Sequence, residues 1–128
     1  MTDINRSRAF YDTVFGLPVA YAWSDDADDA TEEALSFLYG GVLYSYGDGF
    51  LGLRPAASGD DRFSEDRVGL DHLSFAVADS SELDLAVNLL DAQGIPHGGI
   101  KDIGVGLILE FRDPDGIALE LTSPPAAR

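Results

Sequence analysis

A chain of 128 residues, 45% hydrophobic and 24% charged, is the length of one ordinary domain and apolar enough to bury a core. Its 23 Asp and Glu against 8 Lys and Arg leave a net charge of −15, which excludes the basic face that nucleic acid requires and repels anionic membrane surfaces. With no cysteine, a polar start from Met1 to Arg8 and no apolar run near the roughly 20 residues of a membrane span, the chain reads as cytoplasmic and free of disulfides or thiolate metal sites.

Residues 7–14 carry Ala9, Phe10 and Val14 at helical spacing, continued by Leu17, and Gly16-Leu17-Pro18 supplies the stop. Residues 19–23 alternate as a strand does. The acidic stretch 24–33 reads as a solvated loop. Residues 35–39, 42–46 and 50–54 read as strands, separated by Gly40-Gly41 and Gly47-Asp48-Gly49. Residues 58–67 are polar and form a linker between a first module, 1–57, and a second, 68–128, the two together making one compact domain. In the second module residues 70–77 read as a strand, and Ser80-Ser81-Glu82 opens a helix with Ser capping. Leu83, Ala86, Val87 and Leu90 are its apolar stripe. After Gly94-Ile95-Pro96-His97 come strands at 107–112 and 117–122. Asp113-Pro114-Asp115-Gly116 joins them with tight-turn chemistry. Each half thus runs from a helix into strands with the same punctuation, the mark of an internal duplication.

Ser7-Arg8-Ala9-Phe10-Tyr11-Asp12, with Phe15-Gly16-Leu17-Pro18-Val19, resembles the opening helix of the vicinal oxygen chelate superfamily. That superfamily includes glyoxalase I, bleomycin-resistance proteins and extradiol dioxygenases. Gly69 to Val77 and the run Phe111-Arg112-Asp113-Pro114-Asp115-Gly116-Ile117-Ala118-Leu119-Glu120-Leu121 resemble its second module. The resemblance implies an α+β fold of two tandem βαβββ modules, their curved sheets around a small-molecule cleft, with the first module lacking its opening strand. A sheet without that strand has an open edge, so a homodimer is expected.

Strand parity brings two residues forward. His72 shares a face with Leu70, Ser74 and Ala76, and Glu120 shares one with Ala118 and Thr122. Both stand on a small-residue face opposite bulky apolar neighbours, where a cavity has room. Imidazole nitrogen with carboxylate oxygen suits Zn, Ni, Mn or Fe; equally, a His at a strand start can bond a neighbour and a late Glu can face water. The resemblance implies that His72 and Glu120 are metal ligands and that Glu120 also exchanges protons with substrate. It also implies an incomplete ligand set. Gly52 stands where the first module's carboxylate is expected, and the counterpart of His72 would fall before residue 1.

Arg54 shares its strand face with Gly52 and Phe50 and is a candidate partner for a substrate carboxylate, or else a surface Arg among many acids. Phe50, Tyr44 and Trp23 are candidate ligand-binding walls. His97 reads as exposed and without a partner, and Glu110 with Arg112 as a pair on one strand face. Two functions follow: a metal-dependent lyase, isomerase or dioxygenase, or metal-free sequestration of a cationic drug-like molecule.

Overall fold

The computed structural model describes residues 1–126. The chain divides into two compact units, Met1–Asp61 and a second beginning at Arg62. Among the described residues no helix is long and apolar enough to cross a membrane.

The first unit opens with α1 (Ile4–Val14), three residues earlier than its apolar spacing predicts. The reason is Asp3, whose carboxylate accepts the Arg6 N–H at 3.1 Å and caps the first turn. The buried stripe is Ser7, Phe10 and Tyr11, whereas Ala9 faces water. Strands β1 (Val19–Ala22), β2 (Val42–Tyr46) and β3 (Gly49–Leu53) form an antiparallel sheet in chain order. Val42, Tyr44 and Leu53 are buried on one face. By register, Tyr21, Leu43 and Gly52 share the other face.

Two expectations for residues 24–41 are overturned. The acidic stretch is not all loop: Asp28 accepts the Thr31 N–H at 2.8 Å and starts α2 (Asp29–Ala34), with Asp29 and Glu32 in the first turn, where the helix dipole favours acids. Residues 35–39 are not a strand but a single 3₁₀ turn (Ser36–Leu38), closed by Leu38 N–H to Leu35 O and Tyr39 N–H to Ser36 O. Tyr39 then takes φ +51° before Gly40.

In the second unit, β4 (Leu73–Ala76), β5 (His97–Asp102), β6 (Leu107–Arg112) and β7 (Ala118–Ser123) form a sheet of order β4-β7-β6-β5, with β4 parallel to β7 and the other pairs antiparallel. The predicted strand at 70–77 shortens to β4, and Leu70 is exposed. Helix α3 (Ser80–Ala92) covers one face of this sheet with Leu83 and Leu90, both fully buried. Its cap is Asp79 rather than a serine: the carboxylate accepts from Ser81 N–H at 2.9 Å, while Glu82 reaches back to the Ala78 N–H at 2.6 Å. The turn between β6 and β7 is held by buried Asp113, whose Oδ1 accepts from Asp115 and Ile117 N–H, each at 2.9 Å.

Residues 63–65 are not a free tether. Phe63 N–H bonds to Asp115 O, and Glu65 Oε1 pairs with Arg112 at 2.5 Å. Strand β5 was not among the predicted elements; pairing with β6 supplies the order that its two glycines do not. His97, expected to be exposed and unpartnered, is largely buried; Nε2 lies 2.8 Å from Asp91 Oδ1 on α3, and Nδ1 accepts the Gly99 N–H. Nor do Glu110 and Arg112 pair with each other, since Lys101 takes Glu110 at 2.7 Å and Glu65 takes Arg112.

Candidate functional site

The face of the second sheet away from α3 assembles the site. Parallel pairing of β4 with β7 sets Ser74 opposite Glu120, so the hydroxyl donates to Glu120 Oε1 at 2.6 Å. His72 lies one residue before β4, and its Nε2 is 4.0 Å from that same Oε1. The other ring nitrogen, Nδ1, is 2.5 Å from Asp71 Oδ2. The bond to Asp71 raises the His72 pKa above its ordinary 6.5; partial loss of hydration opposes this, and the charges of Glu120 and Glu110 add to it. Antiparallel pairing of β6 with β7 sets Glu110 directly across from Glu120, where Lys101 compensates its charge.

These groups open into a cavity of about 750 Å³ whose walls include Glu65, Asp71, His72, Glu110, Arg112 and Glu120. With Asp113 the lining holds five carboxylates, of which Arg112 and Lys101 compensate Glu65 and Glu110; the remainder leaves the cavity net acidic, which favours a cation or a cationic group. For a metal ion the donors fit in part. Asp71 on Nδ1 is the outer-shell arrangement that presents Nε2 as a lone pair, and Glu120 adds an anionic oxygen. Among the described residues, however, no group of three or more His, Cys, Asp or Glu stands close enough to hold an ion. Protein donors here number two, and the rest of a coordination shell would come from elsewhere.

His72 and Glu120, brought forward by strand parity and joined as ligands by the resemblance, line one cavity with Nε2 and Oε1 4.0 Å apart. Asp71 and Ser74 were missed as site residues; the signal available was that Asp71 precedes His72 directly and that Ser74 has the parity of Glu120.

The remaining candidates lie in the first unit. Arg54 and Phe50 are exposed, on the face opposite the buried Leu53. The Arg54 guanidinium carbon sits 3.9 Å from the centre of the Tyr39 ring. Trp23 is half-buried and its indole N–H donates to Asp25 Oδ1 at 3.0 Å. Tyr44 does not line a cleft: it is 0% exposed, on the α1 side, and its hydroxyl donates to Asp12 Oδ1 at 2.6 Å.

The same architecture occurs in solved proteins. The chain is similar to a glyoxylase/bleomycin resistance protein/dioxygenase domain from Frankia sp. EAN1pec (TM-score 0.76, 26% identity, 100% of this chain and 88% of that one). It is also similar to a glyoxalase/dioxygenase from Nostoc punctiforme (TM-score 0.69, 27% identity, 98% and 86%). At 19% identity and TM-score 0.72, it shares its fold with a variant of the fosfomycin resistance protein FosX from Listeria monocytogenes, complexed with Mn(II) and 1S,2S-dihydroxypropylphosphonic acid (98% and 87% covered). No curated protein matches the chain significantly. A sequence profile of the Glyoxalase/Bleomycin resistance protein/Dioxygenase superfamily matches residues 1–121. With two helix-and-sheet units and that match over nearly its whole length, the chain belongs to the glyoxalase/bleomycin resistance protein/dioxygenase superfamily.

Proposed function

We propose that this chain is a metal-assisted lyase, isomerase or dioxygenase acting on a small molecule at the open face of its second sheet. The observation that supports it is the 4.0 Å approach of His72 Nε2 to Glu120 Oε1, with Nδ1 already engaged by Asp71. A divalent ion of the Zn, Ni, Mn or Fe type, when bound, supplies Lewis-acid polarisation of substrate oxygens. Asp71 holds the Nδ1 proton and so fixes the tautomer that leaves Nε2 free. Ser74 holds Glu120 Oε1 in place, and Glu120 takes up or returns a proton at its carboxylate. A complex of the fold relative FosX contains Mn(II), in keeping with this reading.

A second reading, metal-free sequestration of a cationic drug-like molecule, is favoured by the net-acidic lining of the cavity and the net charge of −15. We also place the protein in the cytoplasm, in keeping with its lack of cysteine. As a homodimer it would cover the outer edge of β3, which ends its sheet; sedimentation reads this directly.

Metal analysis of the purified protein, followed by melting with and without Mn, Ni or Zn, separates the readings. Under the first, metal raises the melting temperature of the wild type, as a ligand of the native state must, and has no effect on His72→Ala or Glu120→Gln. Under the second, metal does nothing and propidium, a dicationic aromatic dye, binds more tightly at low salt. A protein that responds to neither overturns both.

A further inference from the structure

The first unit has a recess of its own, about 230 Å³, on the open face of its sheet. Its floor is Gly52 and Leu43, direct partners across β3 and β2. Phe37 and Tyr39 wall it, and Arg54 stands at the rim. We infer that this recess binds the carboxylate form of a small aromatic or branched aliphatic acid, the apolar part over Gly52 and the carboxylate on the Arg54 guanidinium.

The charge pattern carries this furthest. The chain holds 23 Asp and Glu, yet among the described residues Arg54 pairs with none of them; its side chain lies on the Tyr39 ring. Stacking occupies the flat face of a guanidinium and leaves the N–H edge, the part that grips a carboxylate with two parallel bonds. Against the repulsion of the acidic surface, this one uncommitted, pre-oriented Arg above an apolar recess gives an anion with an apolar body a local partner.

The stacking is built into the backbone. Tyr39 adopts φ +51°, uncommon for a bulky residue. It is held there by its bond to Ser36 O and by the following Gly40, at φ +82°. At Gly41 a Cβ would lie 1.9 Å from Leu53 O. Only glycine lets the turn press this close to β3, one residue from Arg54. Gly52 keeps the recess open over β3: a Cβ there would press on Leu43 Cδ1 at 3.3 Å, and a larger side chain would project into the space that Gly52 lines. In a volume equal to roughly eight waters, a ring and its carboxylate fit, while a drug-sized body of the usual 300–1,000 Å³ class does not. Phe37 (52% exposed) and Tyr39 (63%) offer flat surface to that ring. None of this uses His72 or Glu120, so the metal reading and this one fail separately.

The test is an amide-NMR titration of the whole chain at about 0.15 M salt, which screens the net negative charge, without added metal, using phenylacetate and its neutral match phenylacetamide. Saturable shifts at Leu43, Gly52 and Arg54 are expected with phenylacetate, and affinity for the amide is expected to be about ten-fold weaker or worse. Arg54→Gln should weaken phenylacetate by at least about ten-fold, and Arg54→Lys should recover only part of the loss. Gly52→Val, which keeps Arg54 but fills the floor, should weaken it as well; Val suits a strand, and folding is checked from the same spectra. Equal binding of acid and amide overturns the inference, as does a Kd unchanged in Arg54→Gln or Gly52→Val. So does the lack of any saturable shift, or shifts that follow protein concentration instead of ligand, which would mark a second copy on this face.

Discussion

Replacing Tyr44 by Phe deletes one hydroxyl from a side chain that is 0% exposed and that ties β2 to α1 through Asp12 at 2.6 Å. A hydrogen bond to a charged acceptor contributes about 1.5–3 kcal/mol. Asp12 is 44% exposed and also lies 3.4 Å from Arg8, so water and Arg8 recover part of the loss, and about 1.5 kcal/mol is expected at neutral pH. At roughly 4 °C per kcal/mol for a chain of this length, the melting temperature falls by about 6 °C. The pH dependence gives a second, independent reading. Burial first, then the bond to Asp12, pushes the Tyr44 hydroxyl from 10.0 up to about 12. With the folded pKa above the unfolded one, the native state holds the proton longer. The stabilisation is therefore complete below about pH 10 and is lost as pH rises towards about 12. Denaturant titrations of wild type and Tyr44→Phe, compared by difference, should show a gap that is widest at neutral pH and closes over that window. A gap under about 0.5 kcal/mol at neutral pH, or one that widens above about pH 10, would refute the argument.

Asp71→Asn removes the largest cause of the raised His72 pKa, so the imidazole should titrate closer to 6.5, as read by NMR of its ring protons. Because that pKa is raised in the folded state, the ion pair stabilises fully below about pH 6.5 and is lost as pH climbs through the folded value; Asp71→Asn should flatten this part of the stability profile. Asp113→Ala strands two N–H groups in the β6–β7 turn and should cost about 2–4 kcal/mol by denaturant titration, whereas a loss under about 1 kcal/mol would mean that water replaces the carboxylate.

How much of this was legible in the sequence depended on whether local pattern and tertiary pairing agreed. Leu83 and Leu90 were readable because helical spacing and burial coincide in α3. The hairpin of β6 and β7 was readable because Asp113-Pro114-Asp115-Gly116 specifies its own turn. Strand β5 was not, since His97-Gly98-Gly99 has little strand propensity and is ordered by β6 across a bulge. Residues 35–39 misled in the opposite direction: a short apolar run fits a strand or a helical turn, and local i to i+3 bonds decided it. For the site, parity brought His72 and Glu120 forward, but it carries no information about side-chain reach. The bonds to Asp71 and Ser74 therefore had to come from the structure, and Tyr44 went to the core although it was expected in a wall.

Gly41 has a counterpart that its neighbours in sequence do not reveal. At Gly106 a Cβ would lie 2.6 Å from Ser123 O, just as one at Gly41 would strike Leu53 O. Each glycine opens the strand that pairs with the last strand of its unit, Gly41 before β2 and Gly106 before β6. Each also lends its own carbonyl sideways, Gly41 O to the Trp23 N–H at 2.9 Å and Gly106 O to the Ile103 N–H at 3.0 Å. Both units therefore close the far end of their hairpin with a backbone clasp joining three segments, where a side chain would act as a wedge. Trp23 and Ile103 lie just past the ends of β1 and β5, where strands ordinarily fray. Their amide protons should nonetheless exchange with deuterium as slowly as those inside the sheet, making the two clasps matching latches of a duplicated design.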